Sequence, residues 1–314
     1  VVKGSVKKGN AHRGFWLSGI TSGLLSSFLL GWAPILGKFA YQANVTPMTL
    51  AALRTVVAAV FLWGVYGLFW RERIFLSWSN ILSCMMVGMI NGIGSLFYYN
   101  GLSRLDASRA SLLGNLYPLW VVIFLMASGQ PIMRLTLLRL GISLVGAVMV
   151  TAPSTLVSVK DFLGVMLMIA SAAINGWYMV MGQWVLSDVP AQSGTLYIIT
   201  GMALTVAVAR LMTGMPMSPI SVSGWLAIVV LGLTTALARM AMFFSLEKLG
   251  GVQTAIIGLT ELAVSLTMAF IFLNDRLTLW QWIGAALLLG GSMFARLDVE
   301  RGAAPPPSFN PMDN

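Results

Sequence analysis

Residues 15–152 and 162–296 read as two copies of one membrane unit of five spans, offset by about 144 positions. A unit with an odd number of spans ends on the side of the bilayer opposite to where it began, so a second copy in the same chain lies upside down. Repeats of this geometry place a midplane site between two exchangeable gates. The expected fold is therefore an all-α integral membrane protein, with ten transmembrane helices forming two inverted five-helix repeats.

The span assignment follows from composition. Apolar residues make up 58% of the chain and charged ones 9%, too little polar surface for a soluble domain of this length. A hydrocarbon core of roughly 30 Å needs about 20 mainly apolar residues per crossing. Such stretches fall near 15–39, 47–70, 79–102, 107–128, 135–152, 162–186, 191–213, 222–246, 250–273 and 278–295. Turn chemistry separates them at Asn44-Val45-Thr46-Pro47, Arg71-Glu72-Arg73, Gly129-Gln130-Pro131, Ser187-Asp188-Val189-Pro190 and Asn274-Asp275-Arg276. Residues 1–14 form an expected N-terminal tail, 153–161 a linker, and 297–314, with Pro305-Pro306-Pro307, a disordered tail. The first span is too long for a signal-peptide core and is expected to remain uncleaved.

Basic residues orient the chain. With the N-terminus cytoplasmic, the inner segments hold eleven Lys and Arg, among them Lys3, Lys7, Lys8, Arg13, Arg71, Arg73 and Lys248, and the outer segments hold six. Both termini are therefore expected in the cytoplasm. Basic loops facing anionic lipid head groups account for the net charge of +9. No clustered basic face suggests nucleic acid as a partner. The bilayer and a small-molecule solute are the expected partners, and one ten-span chain can enclose a pathway as a monomer, with a dimer as a second arrangement.

Several chemistries fall away. Gly31 to Lys38 has five residues between its glycines where a phosphate loop has four, and it lies within a span. His12 is the one histidine and Cys84 the one cysteine, so no His-based metal site, catalytic triad or internal disulfide is expected. No second mid-span carboxylate accompanies Glu261 for hydrolytic work. Neither an enzyme nor a cofactor is expected.

The repeat rests on ordered matches. Gly31-Trp32 and Gly37-Lys38 answer Gly176-Trp177 and Gly182-Gln183; Leu102, Leu105 and Gly114 answer Leu246, Leu249 and Gly258; Leu135-Thr136-Leu137 answers Leu277-Thr278-Leu279. With Trp32 in the first span, Pro47 and Arg54 in the second and Pro118 in the fourth, the chain resembles the EamA-type proteins of the drug/metabolite transporter superfamily over residues 15–296. That resemblance implies secondary transport, with export of amino acids, aromatic ones foremost, across a bacterial cytoplasmic membrane. A glutamate usual in the family before the last span of a repeat is replaced by Gln130 in the first copy and Asn274-Asp275 in the second.

Polar residues at helical spacing mark faces turned away from lipid. Ser83, Asn91 and Tyr98 share one face, as do Ser108, Ser111, Asn115 and Pro118; Ser171, Asn175, Tyr178 and Gly182; and Thr254, Gly258, Glu261 and Ser265. Close helix packing explains the small residues equally well. Glu261 and Arg239 lie at similar depth, either paired with each other or holding the ammonium and carboxylate groups of one solute. Arg54 is expected in a structural or gating role, the alternative being simple pairing to a backbone carbonyl, with Lys38 and Arg109 snorkelling at span ends. Trp32 and Trp177, repeat mates well inside their spans, are expected to wall an apolar pocket with Tyr98, Tyr99 and Tyr178. Such a pocket also suits flat cations, making a multidrug exporter the alternative and a channel a more distant one. The two sequence halves are expected to rock about this site.

In a Cys84→Ala background, a cysteine at Ser187 is expected to react with a membrane-impermeant maleimide only after cell lysis, and one at Ser103 in intact cells. The opposite pattern would invert the topology.

Overall fold

A computed structural model describes residues 2–129, 159–214 and 219–274, with short helical pieces within 138–149 and 279–287. Helices account for the structure, and no strand occurs among the described residues. They are α1 (Val2–Gly31), α2 (Ala33–Gln42), α3 (Pro47–Phe69), α4 (Trp78–Leu102), α5 (Ala107–Gly114), α6 (Tyr117–Ala127), α7 (Val159–Val185), α8 (Ala191–Met212), α9 (Val222–Gly258) and α10 (Thr260–Leu273).

Apolar helical stretches long enough to cross a membrane run over Leu17–Gln42, Pro47–Phe69, Trp78–Leu102, Ala107–Ala127, Phe162–Val185, Ala191–Met212 and Val222–Leu273. The last has 52 residues, at ~1.5 Å per residue more than twice a hydrocarbon core of roughly 30 Å. It folds back at Gly250, whose φ of 78° and ψ of 172° interrupt the helix and suit a residue without a Cβ. Spans one to four and six to nine are thereby accounted for; those expected at 135–152 and 278–295, with the linker and the C-terminal tail, lie largely or wholly outside the described residues. The N-terminal segment read as a tail is the start of α1.

The breaks form as their residues dictate. Thr46 caps α3 by accepting the amide of Thr49, with Pro47 in the first turn. Ser77 and Ser221 cap α4 and α9 in the same way. Asn44 and Asn274 take left-handed conformations at helix ends. Outward faces carry exposed apolar side chains such as Val60, Leu68, Met89, Leu204 and Phe272, an arrangement that lipid accepts and water does not.

Two apolar clusters fill the interior. One, around Leu62, Tyr66, Cys84, Leu125 and Ile198, lies toward the expected cytoplasmic face. The other, around Leu50, Tyr99, Leu102, Val206 and Leu231, lies toward the opposite face. Cys84 is fully buried in the first and acts as a packing residue.

The sequence halves are not separate bodies. The first span packs chiefly along α9, and α4 packs along α8 and α7. A Cβ on Gly88 would come within 2.0 Å of the Ile198 carbonyl oxygen, and one on Gly201 within 2.3 Å of that of Met85. Backbones of α4 and α8, from different halves, therefore touch at reciprocal glycines. Rocking of one half against the other would have to break this contact.

Repeat mates also tie loops together at opposite ends. Lys38 Nζ donates to the Leu105 carbonyl at 2.5 Å, and the Gly251 amide donates to Gln183 Oε1 at 2.7 Å. Lys38 thus bonds across the fold instead of merely snorkelling, whereas Arg109, in the first turn of α5, pairs with the exposed Asp106 at 3.5 Å, a contact worth about 0–1 kcal/mol.

Gly88→Ala and Gly201→Ala are each expected to destabilise the protein by about 1–3 kcal/mol, seen as an early thermal midpoint in detergent. Gly64→Ala, whose new methyl meets nothing within 4 Å, should match the parent.

Candidate functional site

Three of the spans are interrupted at one level. The first breaks at Trp32 between α1 and α2, the fourth at Asn115-Leu116 between α5 and α6, and the ninth at Leu259 between α9 and α10. The breaks after Gly114 and Gly258 occupy matching positions in the two repeats, and the same offset places Tyr117 opposite Glu261. Broken helices bring N-terminal amides and C-terminal carbonyls to the same depth, where charge of either sign can be met.

A cavity of about 100 Å³ opens at this level, between the two apolar clusters. Ala33, Tyr117 and Glu261, from the first turns of α2, α6 and α10, line it. The third span contributes Asn91, Ser95, Tyr98 and Tyr99; the fourth, Ser111, Gly114 and Asn115; the sixth, Ser171, Asn175 and Met179; the eighth, Arg239 and Met242. Small-molecule sites usually enclose ~300–1,000 Å³, so the walls must part to admit a solute.

The cavity brings together Asn91, Tyr98, Tyr99, Asn115, Asn175, Arg239 and Glu261 of the residues chosen from sequence. Trp32, Trp177 and Tyr178 are not on its lining. Trp32 stacks at a tilt on Phe272, ring centroids 5.3 Å apart. Trp177 lies edge-on between Phe124 and Trp184, at 5.2 and 5.7 Å. Their repeat relationship holds, but both rings pack against neighbouring helices. Tyr178 is fully buried one turn beyond Asn175, where its ring lies 5.1 Å below the Arg239 guanidinium.

Arg239 and Glu261 share the cavity without forming an ion pair. Arg239 Nη1 donates to the thioether of Met242 at 3.4 Å. Four buried polar atoms on the lining have no partner within the protein: Arg54 Nε, Asn115 Oδ1, Asn175 Oδ1 and Arg239 Nε. A buried unsatisfied group costs about 1–3 kcal/mol, and the four belong to residues that line one cavity.

Arg54 is the residue that sequence reasoning placed elsewhere. It lines the cavity and donates to side-chain hydroxyls, Thr235 Oγ1 at 3.0 Å and Ser95 Oγ at 2.7 Å, instead of to a backbone carbonyl. The Tyr99 ring lies 4.5 Å from its guanidinium carbon. Counting from the nearer end of its helix put it within snorkelling reach but oddly deep for it; the Ser95-Tyr98-Tyr99 cluster on the third span was the available signal that a polar centre lay nearby. Tyr117 was also missed, though it precedes Pro118 on a polar face.

Further hydroxyls fix the surrounding helices. Ser111 and Ser265 share a hydrogen bond at 2.6 Å between the fourth and ninth spans. Ser171 donates to the Gly94 carbonyl at 2.8 Å. These small residues hold the walls in place, the role that close packing assigns to them.

The EamA-like transporter family matches the chain twice, over residues 17–152 and 162–297. The chain belongs to that family. It is thus a multi-pass membrane transporter of the drug/metabolite superfamily, with two repeated domains. The UDP-galactose transporter homolog 1 of Yarrowia lipolytica is 37% identical over 67 residues, which make up 21% of this chain and 18% of that protein. The match therefore spans less than a fifth of that relative. A solved crystal structure superposes with a TM-score of 0.71 at 20% identity, covering 91% of this chain and 99% of the other. At that identity the likeness concerns the fold.

A double-mutant cycle of Ser111→Ala and Ser265→Ala, read by thermal unfolding in detergent, is expected to give a coupling of about 0.6 kcal/mol. A value indistinguishable from zero would show that the pair contributes nothing.

Proposed function

We propose that the protein is a secondary transporter that exports amino acids, including aromatic and other bulky or neutral ones, by alternating access through the central cavity. The observation that carries this reading is the unpaired placement of Arg239 and Glu261 on one lining. An amino acid bears a carboxylate and an ammonium group, so one solute answers both. The unpartnered Asn115 and Asn175 oxygens add acceptors for the ammonium group, and Tyr98, Tyr117, Met179 and Met242 supply adaptable apolar wall.

In this reading Arg239 holds the carboxylate and Glu261 the ammonium group or an exchanged proton. The moving bodies are mixed bundles, the first span with α9 and α10 against α4 with α7 and α8. The ties at Lys38–Leu105 and Gln183–Gly251 sit at opposite ends and would open in alternation. The membrane is the bacterial cytoplasmic one, with both termini inside. A cation exporter is disfavoured by the guanidinium groups on the lining. The short relative named for UDP-galactose motivates testing a nucleotide sugar as a comparator.

Counterflow of labelled phenylalanine in proteoliposomes is the test. Saturable flux is expected in the parent, with at least a tenfold loss of kcat/KM in Arg239→Ala, since a hydrogen bond to a charged group contributes about 1.5–3 kcal/mol. Glu261→Gln is expected to lose flux as well. Flux of a flat dication or UDP-galactose that survives Arg239→Ala, with none of phenylalanine, would overturn the assignment.

A further inference from the structure

Arg54 carries a full charge into the middle of the membrane, where an ionised side chain is costly unless something answers it. Only 6% of the residue is exposed, and its partners are the neutral hydroxyls of Ser95 and Thr235 and the face of Tyr99. These orient the guanidinium without cancelling its charge. Among the described residues no carboxylate pairs with it, and its Nε has no hydrogen-bond partner. Three hydroxyl and ring contacts from the third and eighth spans hold the group rigid beside the same cavity that Arg239 and Glu261 line. Rigid, desolvated guanidinium is the arrangement best suited to recognising a planar anion.

The charges on the lining do not balance. Arg54 and Arg239 are positive and Glu261 is negative. Protonation of Glu261 would only widen the positive excess. An amino acid with a neutral side chain satisfies one guanidinium and the carboxylate, and leaves Arg54 unanswered. We infer that Arg54 forms a second anion subsite, and that the preferred solute is an amino acid whose side chain carries a further carboxylate or phosphate. Two anionic groups and one ammonium group then meet two guanidiniums and one carboxylate. This deepens the amino acid reading above and rests on it.

The alternative role for Arg54 is that of a strut joining the second, third and eighth spans. The two roles differ in what they do to different solutes, because a strut affects all transport alike and a subsite discriminates by charge. Proteoliposomes containing the full chain would be assayed for counterflow of labelled phenylalanine, glutamate and succinate, and for competition of the phenylalanine counterflow by glutamate, glutamine and O-phosphoserine, for parent, Arg54→Gln and Arg54→Lys. In the parent, glutamate is expected to compete at least tenfold better than its neutral isostere glutamine. Arg54→Gln should erase that preference, lowering glutamate flux tenfold or more relative to phenylalanine flux, and Arg54→Lys should retain part of it. O-phosphoserine competing better than glutamate would assign the subsite to phosphate.

Equal competition by glutamate and glutamine in the parent overturns the inference, with the amino acid reading intact. So does an Arg54→Gln variant that lowers all fluxes by one factor. Should that variant fail to elute as a single species, the parent competition decides alone. Arg54-dependent succinate flux without any amino acid flux would uphold the anion subsite and overturn the amino acid reading.

Discussion

The structure depends on how three charges are accommodated away from bulk water. Arg54, Arg239 and Glu261 lie within apolar spans, and placing such groups in hydrocarbon costs at least ~2.5–3.5 kcal/mol each. The protein does not neutralise them by pairing. It surrounds them with weak, orienting partners: hydroxyls for Arg54, a thioether and an aromatic ring for Arg239, and the first turn of a half-helix for Glu261. A carboxylate in a first turn is favoured by the helix dipole, by about 0.3–1 kcal/mol at exposed sites. The broken helices exist at this level because regular ones would offer no free polarity there. The apolar clusters on either side then seal the charged layer from both faces.

Spans were legible because the cost of exposing backbone in lipid forces long apolar helices, and their number told of the inversion. The shared level of Arg239 and Glu261 was legible because depth can be counted along a helix. The same counting left Arg54 out of the site, since depth does not reveal which way a side chain turns. Trp32 and Trp177 show the complementary limit. Periodicity groups residues on a face, but an indole packs as readily on Phe272 or Phe124 as on a cavity wall. Polar residues were better guides than aromatic ones because lipid excludes them from the alternative.

Matching positions in the repeats have kept their places and diverged in chemistry. Lys38 and Gln183 each clasp a loop of a neighbouring helix pair, one as an ammonium donor and the other as an amide acceptor. Tyr117 and Glu261 face one cavity, a phenol from one copy and a carboxylate from the other. An inverted pair of copies gives a symmetric frame, and asymmetry of this kind supplies chemical direction within it. A carboxylate on one side of the cavity and a phenol on the other cannot treat the two ends of a zwitterion alike.

The glycine contact between α4 and α8 bears on how the chain is made. Gly88 emerges from the ribosome about a hundred residues before Gly201, and domains generally fold as they are synthesised. The third span must therefore wait in the bilayer with its glycine face and Asn91 covered only by lipid or by temporary neighbours. Packing of the first repeat is thus incomplete until the second has been inserted, and a chain that stops between them leaves this polar face without its partner helix.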